Sequence, residues 1–521
     1  MFIQNKIIFR SRTLLKLFFM SCLLIGCAVN PVTGKNELSL VSAQQEVQIG
    51  ESNYQPSQQT QGGVYYLDSE LVAYVQQVGK KLAQKSDRPE LPYDFVILNN
   101  SIPNAWALPG GKIAVNRGLL LELEDESQLA AVLGHEIVHA AARHGAKQMT
   151  KGMIMGTGVQ LVGLAAEQKG LGDWVVAGAN IGANLLQTKY GREQELESDH
   201  YGMDYMGRAG YDPVGAVKLQ ETFLRLSEGR NPSWLEGLFA SHPPSSERLN
   251  ANKKHAAELP PGATNRDVYQ AKISQIKHDA PAYKAYDQGV KALQNKNATQ
   301  ALQKAEEALK IQPTEGIFHE LKGRAIQVEG DKNAALQAYT QAINVNPKYF
   351  SHYLSRGLLR KEMGDLAGAQ QDLDNSNKLL PTSIANYAQG ELALASNNVQ
   401  AAMGYFATAG QSNTEIGHAA RQQLARFELP KQPEKYLKVQ PAVSKQGELL
   451  VVVLNQSDVD VSNVSLMVIK TNTQTRQAQQ QVIAIPGVIA AGKNSTPVKT
   501  AFTPPGPQDS LQAKVLDAKV R

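Results

Sequence analysis

The spacing of hydrophobic positions changes character several times along the chain. Leu71, Val75, Val78 and Leu82 fall on one face of a helical period, which predicts a helix over Leu67 to Ala83. A short apolar run at Tyr93 to Leu98 predicts a strand. Two extended runs between Asn104 and Val115, separated by Pro109-Gly110-Gly111, predict a hairpin. Ser127 to Ala142 returns to helical spacing, with Leu129, Val132, Leu133 and Ala140 available for packing. Between Thr150 and Leu186 the sequence is apolar and rich in Gly and Ala, interrupted by Glu167, Lys169 and Asp173. Its longest uncharged run before Glu167, Gly152 to Ala166, falls short of the ~20 residues a membrane-spanning helix needs. It therefore reads as helices packed in the domain or covering a cleft, with a hairpin dipping into a membrane as the alternative.

Beyond Leu259-Pro260-Pro261 the pattern repeats every 34 residues: Gly289, Gly323 and Gly357 form one register, Ala301, Ala335 and Ala369 a second, and Pro313, Pro347 and Pro381 a third. Three coincident registers at that period predict tetratricopeptide repeats, in which small residues let paired helices cross closely and Pro ends each pair. Gly390, Ala402 and Ala409 extend the pattern to a fourth repeat. The last ninety or so residues alternate or are β-branched at Glu448–Leu454, Val459–Ile469, Gln481–Ile485 and Leu511–Val520, which predicts a small β-sandwich.

Composition narrows the class. With 521 residues, 42% hydrophobic and 19% charged, the chain is long enough for several folded domains and too apolar for wholesale disorder. A net charge of +5 with interspersed signs leaves no footprint for nucleic acid. Both cysteines lie within the first 27 residues, so no disulfide staples the body of the chain. There, Lys6, Arg10, Arg12 and Lys16 precede the apolar run Leu17 to Ile25, a secretory signal. Leu24-Ile25-Gly26-Cys27 resembles a bacterial lipobox, whose cysteine is diacylated. Ala28 behind it points to the outer membrane. A lipid on Cys27 would tether an otherwise soluble body to the membrane.

The candidate chemistry lies at His135-Glu136-Ile137-Val138-His139. Two imidazoles four apart project from one helical face and can share a zinc ion, with Glu136 placed to move protons. Catalytic zinc usually takes a third protein ligand. Glu195 and Asp199, four apart in Arg192 to Asp199, are candidates for that ligand and for a carboxylate orienting His135. The alternative is an acidic, solvated helix start, which Glu193 and Glu197 would fit.

These paired motifs resemble metallopeptidase family 48, gluzincins with HExxH and ExxxD signatures, and specifically its lipoprotein, repeat-bearing BepA-type branch. The resemblance covers residues 27 to about 415. It implies His135, His139 and Glu195 as ligands of one zinc ion per chain, Glu136 as catalytic base and Asp199 as the group behind His135. Asn104-Ala105-Trp106 resembles the family's substrate-binding edge strand, and Ser241-His242-Pro243 with Arg248 its downstream His-Pro segment. His242 or Arg248 would stabilise the oxyanion; alternatively, His242 would occupy the fourth metal position as a switch, as the regulatory histidine of that branch does. Ser198 stands where Ala is usual, the repeats lack cysteines, and the C-terminal sandwich is additional.

The expected architecture is multidomain: a signal peptide (1–26), a tether (27–63), a mainly α, zincin-like peptidase domain with a small edge-strand sheet (64–258), a linker (259–281), an α-solenoid of repeats (282–413) and a β-sandwich (430–521). The expected function is hydrolysis of unfolded or misassembled envelope proteins by an outer-membrane lipoprotein facing the periplasm, its repeats docking substrates or assembly machinery. An assembly factor whose protease is latent or secondary is the alternative.

Overall fold

The computed structural model describes residues 27–154, 189–228 and 238–521. The signal peptide and most of the Thr150 to Leu186 stretch lie outside the described residues. No described helix is long and apolar enough to cross a membrane. The chain divides into two compact units, one running to Leu359 and including 378–380, the other made of 360–377 and 381–521.

The predicted tether is folded. The breakers Asn30-Pro31 and Thr33-Gly34 turn the chain between β1 (Cys27–Val29) and β2 (Asn36–Leu38), with Gly34 N donating to Asn30 O. Then α1 (Ala43–Thr60) runs for 18 residues from a capping box made by Ser42 and Gln45. It lacks an apolar stripe because much of its buried face is polar: Asn53, Ser57, Gln58 and Gln59 lie inside with Ile49 and Tyr54. Glu46, 1% exposed, pairs with Arg88 at 3.2 Å and Arg143 at 2.5 Å, which fixes the helix to the core of the first unit.

Helix α2 (Ser69–Ala83) presents Leu71, Val75, Val78 and Leu82 to that core as the spacing predicts. A three-stranded sheet follows, ordered β3 (Asp94–Leu98), β5 (Lys112–Asn116), β4 (Ala105–Leu108). Strand β5 is parallel to β3 and antiparallel to β4, which forms the sheet edge. Helix α3 (Glu126–Ala141) starts at Asp125, whose side chain accepts from Gln128 N, and is buried over its whole length. Helix α4 (His144–Ile154) continues from it.

Helix α5 (Arg192–Arg208) crosses α3 where Gly134 meets Gly202; a Cβ on Gly202 would lie 3.1 Å from His135 N. Two glycines thus set the distance between the helices that carry the candidate ligands. Helices α6 (Val214–Glu228) and α7 (Ser246–Ala256) complete the domain. The predicted linker is also structured: α8 (Arg266–Lys272) buries Tyr269, whose hydroxyl donates to Leu120 O, and Ile273 and Ile276 join the same core.

In the repeat region, helices pair as predicted: Ser274–Gln294 with Ala298–Ile311, Gly316–Glu329 with Lys332–Val345, and Ser383–Ala395 with Val399–Ala409. The first helix begins eight residues before the predicted start at 282. The periodic glycines are contact points, since a Cβ on Gly323 would strike the Tyr339 ring and one on Gly390 the Phe406 ring. Within the first unit, Glu315 accepts from Asn99 Nδ2, Tyr66 Oη and Tyr283 Oη, and the Arg117 guanidinium lies 3.3 Å from the centre of the Tyr283 ring.

The C-terminal strands are β6 (Leu437–Val443), β7 (Leu449–Asn455), β8 (Val461–Asn472), β9 (Ala478–Ile489), β10 (Val498–Lys499) and β11 (Asp509–Val520). They form two three-stranded sheets, ordered β10-β7-β6 and β11-β8-β9. Val451 and Val453 of one sheet share a core with Leu466, Val468, Ile483 and Val515 of the other, a β-sandwich.

Candidate active site

Helix α3 places His135 and His139 one turn apart with their Nε2 atoms 3.0 Å from each other. Helix α5 brings Glu195 to them, its carboxylate oxygens 3.6 Å from His135 Nε2 and 3.5 Å from His139 Nε2. His242, which follows the one-turn helix Leu238–Ser241, points Nδ1 into the group, 3.2 Å from His135 Nε2 and 3.0 Å from Glu195 Oε1. All four side chains are buried. A tetrahedral ion with bonds of about 2.0–2.1 Å holds its ligand atoms about 3.3 Å apart. The separations here, 3.0 to 3.6 Å, fit zinc.

The charge balance fits it too. Burial pushes Glu136 up, and its Oε2 is buried without a partner among the described residues. Burial also opposes ionisation of Glu195, yet His242, His135 and Arg248 outweigh it and hold this carboxylate well below the usual range. Burial drives His139 well below an ordinary histidine, the neutral form that a metal requires. His242 goes the other way: burial lowers its pKa, but Glu195 and Glu136 prevail and raise it, so its imidazole meets a demand for positive charge that a divalent ion would meet.

Asp199 stands behind His135, its Oδ1 2.9 Å from Nδ1, so that Nδ1–H donates and Nε2 is left to ligate. Arg248 is not aimed at a reacting carbonyl as the oxyanion reading expects. It is 5% exposed and committed to carboxylates, with 2.7 Å contacts to both Asp199 oxygens and to Glu195 Oε2. Burial raises Asp199, but Arg248 dominates and lowers it.

Glu197 is not a solvated residue of an acidic helix start. Its Oε1 lies 3.2 Å from His144 Nε2 and accepts from Asn30 Nδ2 at 3.1 Å, while His144 Nδ1 is 2.9 Å from His139 Nδ1. Sequence reasoning missed His144 and also Tyr190, whose ring stacks on His139 at 3.8 Å. The available signal for His144 was its place five residues beyond His139, at the turn where Arg143 adopts a φ of 62°.

Asn104, Ala105 and Trp106 lie at the sheet edge. Asn104 O accepts from Asn116 N, so the alternation along β4 turns the backbone groups of Ala105 and Ala107 away from β5. The Trp106 side chain does not face a substrate: it is 4% exposed, meets Tyr54 edge-on and donates Nε1–H to Gln61. A small apolar pocket opens beside His135 and Glu136, lined by Val132, Met203, Leu219, Phe223 and Leu238.

A buried His-His-Glu group with a carboxylic acid next to the first histidine defines a metallopeptidase-like centre. Residues 69–256 match the model of Peptidase family M48. The chain is 28% identical over 257 residues to the beta-barrel assembly-enhancing protease of Escherichia coli (strain K12), covering 47% of this chain and 51% of that protein. It is 31% identical over 198 residues to the mitochondrial metalloendopeptidase OMA1 of Schizosaccharomyces pombe, covering 38% and 56%, and 31% over 164 residues to the metalloprotease LoiP of Escherichia coli (strain K12), covering 30% and 60%. The match thus spans about half the length of these curated relatives. Among solved structures, a thermophilic tetratricopeptide-repeat protein of Thermus thermophilus aligns over 40% of this chain and 97% of its own at 18% identity, with a TM-score of 0.26.

Proposed function

We propose that the protein is a zinc-dependent endopeptidase that cleaves unfolded or misassembled envelope proteins, and that His242 holds it latent. The observation that carries this reading is the convergence of His135, His139, Glu195 and His242, with Glu136 Oε1 3.7 Å from His242 Nε2. Zinc bound there would polarise a scissile carbonyl and acidify a water molecule. Glu136, buried and raised in pKa, accepts the proton of the attacking water and hands it to the leaving amine. Asp199 and Arg248 act as positioning residues that hold His135 and Glu195 in place.

The edge of β4 suits an extended polypeptide that pairs through its backbone at Ala105 and Ala107, which selects unfolded segments over folded ones. Asn104 and Trp106 support that edge, Trp106 by packing beneath α1. The pocket beside Glu136 accepts an apolar side chain next to the scissile bond. Leu238 N donates to Pro103 O and His242 N to Leu238 O, so the backbone leading into β4 is tied to the segment that presents His242. A chain adding to β4 acts on that link, and withdrawal of His242 opens the fourth metal position.

A diacylated Cys27 would place the enzyme on the outer membrane facing the periplasm, with the repeats docking substrates or assembly machinery. The experiment is quantitative proteomics of envelopes containing wild type or Glu136→Gln. A defined set of envelope proteins should accumulate with the variant; identical proteomes would overturn the quality-control reading.

A further inference from the structure

Helices α5 and α7 are bridged at several points: Arg192 with Glu247, and Arg248 with both Glu195 and Asp199. A further bridge lies farther along both helices, where His255 Nε2 of α7 sits 2.8 Å from Asp204 Oδ1 of α5. His200 is four residues before Asp204, so the two share a helical face. The His200 and His255 rings lie 3.8 Å apart, centre to centre, at 30°. One ligand atom from each of His200, Asp204 and His255 falls within 4.8 Å of the others. His200 is exposed and the other two are half-buried, so this group meets solvent, unlike the centre around His135.

We propose that His200, Asp204 and His255 form a second metal site, for zinc or a similar divalent transition ion, that clamps α5 to α7. Two imidazoles and one carboxylate favour zinc, copper or nickel over magnesium or calcium, which prefer all-oxygen sites. Glu258 Oε2, 3.4 Å from His255 Nδ1, supports the second imidazole as an acceptor and adds negative charge beside the site. With three protein ligands facing water, the site binds less tightly than the buried centre and fills at higher free zinc. Occupancy reinforces the helix pair that also carries the Arg248–Asp199 bridge behind His135.

The site does not depend on the peptidase reading, and the test keeps the two apart. Untagged full-length protein is dialysed against a series of buffered zinc concentrations, and bound zinc per chain is measured for wild type, His200→Gln and His255→Gln. Each variant should bind one equivalent fewer than wild type at high free zinc, and zinc should raise the Tm of wild type above its rise in His200→Gln. Equal zinc content in all three proteins, or an equal Tm rise, would overturn the proposal. His200 is exposed, so His200→Gln keeps the test clear of misfolding. As a second measurement, a His135→Gln/His139→Gln protein loaded with one equivalent of Cu2+ should give an electron paramagnetic resonance spectrum with nitrogen splitting that is lost when His200→Gln and His255→Gln are added. Splitting that persists unchanged would contradict the site.

Discussion

His139 and His144 face each other through their Nδ1 atoms, 2.9 Å apart, so one of the two must carry a proton and the other must accept it. With a metal held on His139 Nε2, Nδ1–H of His139 would donate to His144, whose Nε2–H would in turn donate to Glu197. The chain continues to Asn30, three residues beyond Cys27. His144→Ala should therefore lower zinc affinity about 10–100-fold without removing a ligand. Glu197→Ala should shift it in the same direction by less. Chelator competition on the folded variants measures both, and wild-type affinity in His144→Ala would refute the relay.

Among the acidic residues of α5, Glu195 and Glu193 should separate cleanly. Glu195 is 2% exposed and touches both metal-facing imidazoles, whereas Glu193 is exposed. Glu195→Ala should lose tightly bound zinc and Glu193→Ala should retain it. Metal analysis after dialysis at low free zinc would show a wrong assignment if the two variants behaved alike.

His242→Ala distinguishes a switch from a transition-state donor. Removal of a latching ligand should raise cleavage of an unfolded substrate. Loss of an oxyanion donor would instead lower kcat on the order of a hundredfold. The Nδ1 contact with Glu195 favours the first outcome, and steady-state kinetics on the zinc-loaded variant decides.

The helix that replaces the expected tether makes a stability prediction. Glu46 is buried between two arginines, so Glu46→Ala leaves Arg88 and Arg143 without their shared carboxylate and should cost about 3–5 kcal/mol. Denaturant unfolding of the first unit measures it. A change near zero would mean that α1 is not part of the folded core.

The repeats carry an acid-sensitive pair. Glu320 is buried, which by itself raises its pKa, but His352 and Ser351 outweigh burial and lower it below its ordinary 4.5. The folded state therefore binds this proton less readily than the unfolded chain. The stabilisation is complete above about pH 4.5 and is lost as pH falls through the lowered folded value. Glu320→Gln should flatten the acid limb of the stability profile, and an unchanged limb would exclude this carboxylate as its source.

What the sequence revealed depended on whether a feature lies in one segment or between segments. The His135–His139 spacing, the amphipathic Leu71–Leu82 face and the 34-residue period are local patterns, and each corresponds to an element in the structure. Helix α1 escaped because its buried side chains are largely polar and its buried charge, Glu46, is paired with Arg88 and Arg143, both distant in the sequence. Strand β6 escaped because most of its residues are exposed and Pro441 interrupts the run. The commitment of Arg248 to Asp199 and Glu195, and of Glu197 to His144, is visible only once α3, α5 and α7 are packed together.

The proposed peptide hydrolysis would require Glu136 to move protons at a metal that other residues hold. The direct measurement is hydrolysis of an unfolded polypeptide by zinc-loaded wild type and Glu136→Gln, with tightly bound zinc determined in the same samples. Hydrolysis should disappear while tightly bound zinc stays at the wild-type level. Substantial cleavage by Glu136→Gln with its zinc in place would contradict that role.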